Sequence, residues 1–350
     1  MLSKLTKLFI TCFIWASFIC YTTNCDAQPT PQRSLLALSK TDHTLAIVDL
    51  TTLKVMARIP VGPDPHEVVA SSDGSLAFVS NMGGGRFHEL NIIDLTEQKA
   101  LPNFDTGPLI GLHGLAYMGG KLWFTAEGAK SIGRYDPKAA RVDWIMGTGQ
   151  NRTHMIYVTP DEKQIYTTNV ESGTVSILEN ALPAQTTNPM GSTPPGVQPR
   201  IDWVQTIIPV AKGSEGFDVS PNGKELWTAA SEGGTISIID IATKKLTATI
   251  DAKVIGANRL KFTPDGKLVL ISSLRSGDLV IYDAASHKEF KRLGIGHGAA
   301  GILMDADGNR AFVACTPDNY VAIVDLKTLK VSGHIDVGGG PDGLAWTIRH

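Results

Sequence analysis

The chain has 350 residues, 43% hydrophobic and 19% charged, a balance that excludes a disordered polypeptide. Its 35 glycines and 19 prolines, against 7% aromatic residues, favour many tight turns over long helices, so the predicted class is all-β. With 32 basic and 34 acidic residues the formal net charge is −2; no global basic field exists to hold a phosphate backbone, and nucleic acid is not an expected partner.

Residues 1–27 read as a secretory signal. Lys4 and Lys7 supply the positive start, Leu8 to Ile19 the apolar stretch, and Cys25-Asp26-Ala27 the small-residue cleavage site. The mature chain is expected to begin near Gln28 and to be exported, to the periplasm or beyond. The apolar stretch is shorter than the ~20 residues that cross a bilayer, so no membrane span is expected. Cleavage removes Cys12, Cys20 and Cys25 and leaves Cys315 alone, where Ala311-Phe-Val-Ala-Cys315 predicts a buried packing role. No Cys-x-x-Cys-His run exists for covalent haem. Gly296-His-Gly-Ala-Ala-Gly301 spells a dinucleotide fingerprint but joins strand to strand, so neither haem nor nucleotide is an expected cofactor.

From Leu35 onward the chain is a string of short strands. A pentapeptide, apolar-x-Ile-apolar-acidic with one relaxed copy, recurs at Leu45–Asp49, Leu90–Asp94, Ile132–Asp136, Val175–Glu179, Ile236–Asp240, Leu279–Asp283 and Val321–Asp325. Its acidic residues stand 42 to 45 positions apart except for one gap of 61, which is the repeat length of a four-stranded propeller blade. Each unit adds a first strand such as His66–Ala70, a tight turn such as Ser72-Asp-Gly74 or Pro264-Asp-Gly266, a second strand such as Phe78–Asn81 or Tyr166–Asn169, and a fourth strand ending in Ile59-Pro-Val-Gly62 or Ile335-Asp-Val-Gly338. The long gap holds an insertion, about residues 180–203, whose prolines from Pro183 to Pro199 make it a surface loop between third and fourth strands, on the face opposite the openings of the first strands. The chain starts on a second strand, Leu35–Ser39, and stops on a first strand, Gly343–Thr347. The fold class is therefore a seven-bladed β-propeller whose last blade is completed by both termini, which removes an exposed sheet edge.

Phe78-Val-Ser-Asn81 and Tyr166-Thr-Thr-Asn169, each followed by an Ile-apolar-acidic strand, together with Ile59-Pro-Val-Gly62 and Ser72-Asp-Gly74, resemble the YVTN β-propeller repeat over the whole mature chain except the insertion. Leu122-Trp-Phe-Thr-Ala-Glu127 and Ile132-Gly-Arg-Tyr-Asp-Pro137 resemble repeats of the streptogramin (virginiamycin B) lyase family, whose members are seven-bladed and use magnesium with His and Glu residues. That family's catalytic motif has no residue-by-residue match in this sequence. The resemblance implies the fold; propellers of this type serve as binding proteins, surface proteins and enzymes.

The informative comparison is the entrance of the innermost strand, eight residues before the turn glycine. With one residue missing in the Met118-Gly-Gly120 turn and the last copy aligned on Pro341, the ring reads His66, His113, His154, Glu215, Asn258, Ala300 and Asp342. Three imidazoles from adjacent blades are an arrangement that holds a catalytic zinc, and imidazole also suits copper, iron and nickel, so a divalent metal of unnamed identity is expected on His66, His113 and His154. Glu215 or Asp342 would complete the shell, with Glu215 the candidate base. Arg152, two residues before His154, and Arg259, after Asn258, are the candidates for gripping a carboxylate or phosphate. The loop Met82-Gly-Gly-Gly-Arg-Phe-His88 stands on the mouth side with the mobility of a lid. The reading is an exported propeller with a His-rich metal site for a small polar or anionic ligand, bound by Arg152, Asn258, Arg259 and Asp342. Two alternatives stand beside it: a metal-dependent lyase or lactone hydrolase, and an interaction scaffold that uses the Pro-rich insertion. Nothing in the sequence sets an oligomeric state.

Overall fold

The computed structural model describes residues 30–182 and 201–349. Residues 1–27, read above as a secretory signal, and the Pro-rich stretch Pro183–Pro199 lie outside the described residues. Seven antiparallel sheets of four strands each form the ring, as expected. We number the blades from Pro65, so that blade 7 is the closing one. In it, strand Arg33–Ser39 pairs on one side with Thr44–Asp49 and on the other with Pro341–Ile348, which sets Leu35 opposite Trp346. Both terminal strands start two residues sooner than the apolar pattern indicates, at Arg33 rather than Leu35 and at Pro341 rather than Gly343.

Second and third strands are buried on both faces because each blade packs against two neighbours. Leu35, Leu36, Ala37 and Leu38 are all fully buried, as are Leu45, Ala46, Ile47 and Val48. Fourth strands face solvent on one side and alternate, as Arg141–Gly147 does. Blade 1 departs from the pattern in its fourth strand. Pro102, which lacks an N–H, falls between two short pieces, Lys99–Ala100 and Phe104–Asp105, that both pair with Glu89–Asp94.

The acid that ends the pentapeptide has a structural cause. Asp49 Oδ1 accepts the N–H groups of Thr51 and Thr52 at 2.6 and 3.1 Å, and Asp94, Asp136 and Asp325 cap the same turn in their blades. Glu179, the one copy that ends in glutamate, has no such turn to cap: the third strand of blade 3, Thr174–Ala181, runs on past it and pairs with Asp202–Pro209, setting Asn180 opposite Trp203. The ends of the insertion are thus part of a hairpin on the face opposite the channel mouth. No helix among the described residues is long and apolar enough to cross a membrane.

Candidate metal and ligand site at the channel mouth

All seven innermost strands break register at the same place; the break contains the ring residue in every blade and its successor as well in all but blade 1. His66 lies between the paired residues Pro65 and Glu67, His154 between Thr153 and Ile156, and Glu215 between Ser214 and Phe217. Such a bulge bends the strand and re-aims a side chain, which turns the ring residues into the mouth. Hydroxyls of the preceding blade then fix their carbonyls: Ser80 donates to His113 O at 2.7 Å, Thr125 to His154 O at 2.5 Å, Thr168 to Glu215 O at 2.7 Å and Ser272 to Ala300 O at 2.6 Å. The residue after each ring position is glycine in blades 2, 4, 6 and 7, where the next inner strand comes close; a Cβ on Gly216 would meet Arg259 Cα at 2.6 Å.

Two further sevenfold sets face the mouth. The residue two before each ring position has positive φ in every blade: Asp64, Gly111, Arg152, Gly213, Gly256, Gly298 and Gly340. Its carbonyl accepts the N–H of the residue that follows a second strand, namely Met82, Glu127, Val170, Ser231, Leu274, Thr316 and Lys40 respectively. Glu127 and Lys40 therefore hold equivalent places on the rim. Neither was singled out from the sequence, although both could have been found by aligning the residue after each second strand as the first strands were aligned.

Glu127 completes a compact triad. One ligand atom each from His113, Glu127 and His154 lie within 4.8 Å of one another, and all three residues are buried. The Glu127 carboxylate accepts the Nδ1–H of His154, which fixes the tautomer and leaves Nε2 with a bare lone pair. That Nε2 and the Nδ1 of His113 are buried without a hydrogen-bond partner. The two rings are in contact, with centroids 3.7 Å apart. Burial, and then the adjacent His154 and His66, holds the His113 imidazole well below the usual histidine range, in the neutral form that a metal requires.

His66 is engaged differently. Its ring centroid is 5.0 Å from that of His113, but its Nε2 lies 2.9 Å from Lys40 Nζ and 3.0 Å from Asp64 Oδ1, and its Nδ1 lies 3.6 Å from Asp342 Oδ2. Hydrogen bonding with His66 outweighs burial and holds the Asp64 carboxyl well below the usual carboxylate range. Lys40 also donates to Asp342 at 3.3 Å, so both chain ends meet here. Asp64 accepts the Gly83 N–H at 2.9 Å, which ties the Met82–His88 loop to the rim through a short 3₁₀ turn, Gly83–Gly85.

On the other flank, Glu215 accepts from Asn258 Nδ2 at 2.9 Å and faces Arg152 at 3.8 Å, while Arg152 Nε stands 3.4 Å from Glu127. Arg152, Glu215 and Asn258 line a cavity of about 330 Å³ with Lys40, His66, His113, His154, Arg259 and Asp342, while Glu127 lines a neighbouring cleft. Arg259 forms the floor of the cavity. It is buried, pairs with Glu67 across the channel, and donates to Asn258 O and Oδ1 at 3.3 Å each. Burial works against its charge, and the carboxylates of Glu67, Asp342 and Glu215 outweigh it, leaving its pKa raised. A second cavity of about 300 Å³, lined by Trp346, Leu344 and Met155, lies beyond this pair. Arg259 thus reaches the ligand cavity with its donors largely committed to the protein.

No family model matches the chain, and no curated protein does. Solved structures do. Hydrazine synthase of Kuenenia stuttgartiensis superposes with a TM-score of 0.66 at 18% identity, covering 81% of this chain and 89% of that one. A proposed 6-phosphogluconolactonase of Bacteroides uniformis gives 0.69 at 15% identity, covering 90% and 99%. The dihydro-heme d1 dehydrogenase NirN gives 0.60 at 15% identity, covering 89% and 74%. At such identities the likeness establishes that this chain shares their propeller fold.

Proposed function

We propose that the protein binds one divalent metal ion at the channel mouth through His113 Nδ1 and His154 Nε2, with the Glu127 carboxylate holding the His154 ring from its Nδ1 side, and presents it to a small ligand in the adjoining cavity. The observation that carries this reading is the pair of orphaned imidazole nitrogens, His113 Nδ1 and His154 Nε2, buried beside a carboxylate. A buried polar atom left without a partner costs about 1–3 kcal/mol, and a cation between the rings removes that cost. A metal there supplies Lewis-acid polarisation of a bound oxygen. His66, held by Lys40, Asp64 and Asp342, stands beside the metal in this reading.

The test is metal analysis of chelator-treated protein reloaded with zinc. One equivalent is expected, and His113→Ala, Glu127→Ala and His154→Ala should each weaken binding at least tenfold, while His43→Ala and His334→Ala leave it unchanged. Parent protein that takes up no metal, or triad variants that retain it as the parent does, overturn the reading.

A second reading adds turnover, as a lyase or lactone hydrolase with Glu215 as base. What favours it is the place of Glu215, across Arg152 from Glu127 and in the same cavity as His113 and His154. Lactones are the first substrates to try, given the activity proposed for the Bacteroides neighbour. Glu215→Gln should keep the metal while turnover falls roughly 10²–10⁴-fold. We also read the blades as YVTN-type repeats, supported by the interblade hydroxyl bonds of Ser80 and Thr168, and residues 1–27 as an export signal, which the N-terminal sequence of exported protein, expected at Gln28, would test.

A further inference from the structure

The seven positive-φ positions of the rim are not filled alike. Five are glycine, for which that conformation carries no steric cost, and the space beside them is taken: a Cβ on Gly213 would lie 2.8 Å from Ser231 Oγ, and one on Gly340 2.7 Å from Thr41 Oγ1. Blades 1 and 3 instead carry Asp64 (φ 55°) and Arg152 (φ 57°), each two residues before a ring histidine. Left-handed non-glycine residues also occur at the turns between third and fourth strands, at Leu53, Ala140, Lys244, His287 and Leu329. There, a residue other than glycine recurs from blade to blade. On the rim, a charged side chain is the exception, and it appears only where the metal-binding arc lies.

Asp64 is fully engaged by His66, Lys40 and Gly83. Arg152 is not. Its guanidinium donates no hydrogen bond to any described residue; its ion-pair contacts, 3.4 Å to Glu127 and 3.8 Å to Glu215, are longer than the ~2.7–2.9 Å of a charge-assisted hydrogen bond. The side chain is 32% exposed and lines both the mouth cavity and a neighbouring cleft of about 380 Å³ that reaches Gly84 and Gly85.

We propose that Arg152 is the ligand-recognition residue of this site, and that its free donors grip the oxyanion of a small carboxylate- or phosphate-bearing ligand sharing the cavity with the metal; the proposal rests on the metal reading above. The planar guanidinium matches an oxyanion with two parallel N–H donors. Blade 3 therefore keeps arginine where glycine would suit the backbone.

The test titrates zinc-loaded protein with inorganic phosphate and, separately, acetate, by calorimetry, and compares Arg152→Gly with the parent. At least one anion should bind the parent; Arg152→Gly should bind it at least tenfold more weakly, take up zinc as the parent does, and melt no lower, since glycine relieves the left-handed residue. Arg152→Gln repeats the comparison with a side chain in place. Unchanged anion binding in both variants, or none to the zinc-loaded parent, overturns the proposal and leaves the metal reading standing on its own zinc titration. Loss of zinc from Arg152→Gly, or a lower melting temperature, shows that the residue serves Glu127 or the fold and also overturns it. Should the parent bind no zinc, the metal reading falls, and the same comparison on metal-free protein decides Arg152: anion binding lost in the variant supports it, binding retained or absent overturns it.

Discussion

The floor of the cavity gives the sharpest test of the energetics. Arg259 and Glu67 are 6% and 9% exposed and pair across the channel, so Glu67→Ala strands a buried guanidinium. Removing one partner of a buried ion pair costs about 3–5 kcal/mol. The low end applies here, because Asn258 O and Oδ1 remain within 3.3 Å of Nη1 and the cavities above and below admit water. A loss of about 3 kcal/mol, at roughly 2–4 °C per kcal/mol for domains approaching this size, lowers the melting temperature by roughly 6–12 °C. The double variant Glu67→Leu/Arg259→Leu should recover most of that, since replacing a buried pair by apolar residues is often neutral. Thermal unfolding with chelator present, so that metal binding does not contribute, reads both, and added salt should change neither result much because the pair is shielded from solvent. Glu67→Ala melting with the parent, or the double variant falling further than the single one, would refute the account of the floor.

Thr168→Val should cost about 1–3 kcal/mol in chemical unfolding by leaving the Glu215 carbonyl without its donor; an unchanged midpoint would show that the hydroxyl does not hold blade 4. Deleting residues 341–350 removes the strand that covers Leu35 to Ala37 and should yield an aggregating or strongly destabilised chain, whereas a truncation that melts with the parent means that closure is misassigned. Burial pushes the Cys315 thiol up to about 12 from an ordinary 9.0, so thiol reagents at pH 8 should label it only in denaturant. The folded state holds that proton more tightly than the unfolded one, so the thiol's contribution to stability is present below pH ~9 and lost as pH rises towards 12; full labelling of native protein at pH 8 would contradict its burial.

The ring was legible because a propeller repeats one geometry. Counting back from the turn glycine aligned seven positions, and a bulge is found at all seven. What the count left out is equally regular. Glu127 and Lys40 follow second strands, so an alignment of first strands alone passes over them. The neighbours of each side chain were not legible. His66 stands in register with His113 and His154, yet Lys40 and Asp342 reach it from opposite ends of the chain, and Asp64 rises beside it. Arg259 reads as a free cation until its register is compared across the channel: among the residues that follow the ring positions, Glu67, Gly114, Met155, Gly216, Arg259, Gly301 and Gly343, it and Glu67 alone carry charge. The bulge hides this, because simple alternation sends a ring residue and its successor to opposite faces.

The charged groups of the mouth crowd one arc. Asp342 and Lys40 of blade 7, Asp64 and His66 of blade 1, His113 and Glu127 of blade 2, Arg152 and His154 of blade 3 and Glu215 of blade 4 are consecutive, while Leu274, Ala300 and Thr316 close the ring on the far side. The arc begins at the seam where the two ends of the chain meet, and the Lys40–Asp342 contact joins residues 302 positions apart. His66 has its full set of partners only when strand Pro341–Ile348 has docked. Any ligand bound there favours the closed ring over the open one by RT ln(1 + [L]/Kd), about 2.7 kcal/mol at a hundredfold excess over Kd. That is close to the cost argued above for stranding Arg259, so a propeller weakened at its floor should regain much of its melting temperature when the mouth is occupied.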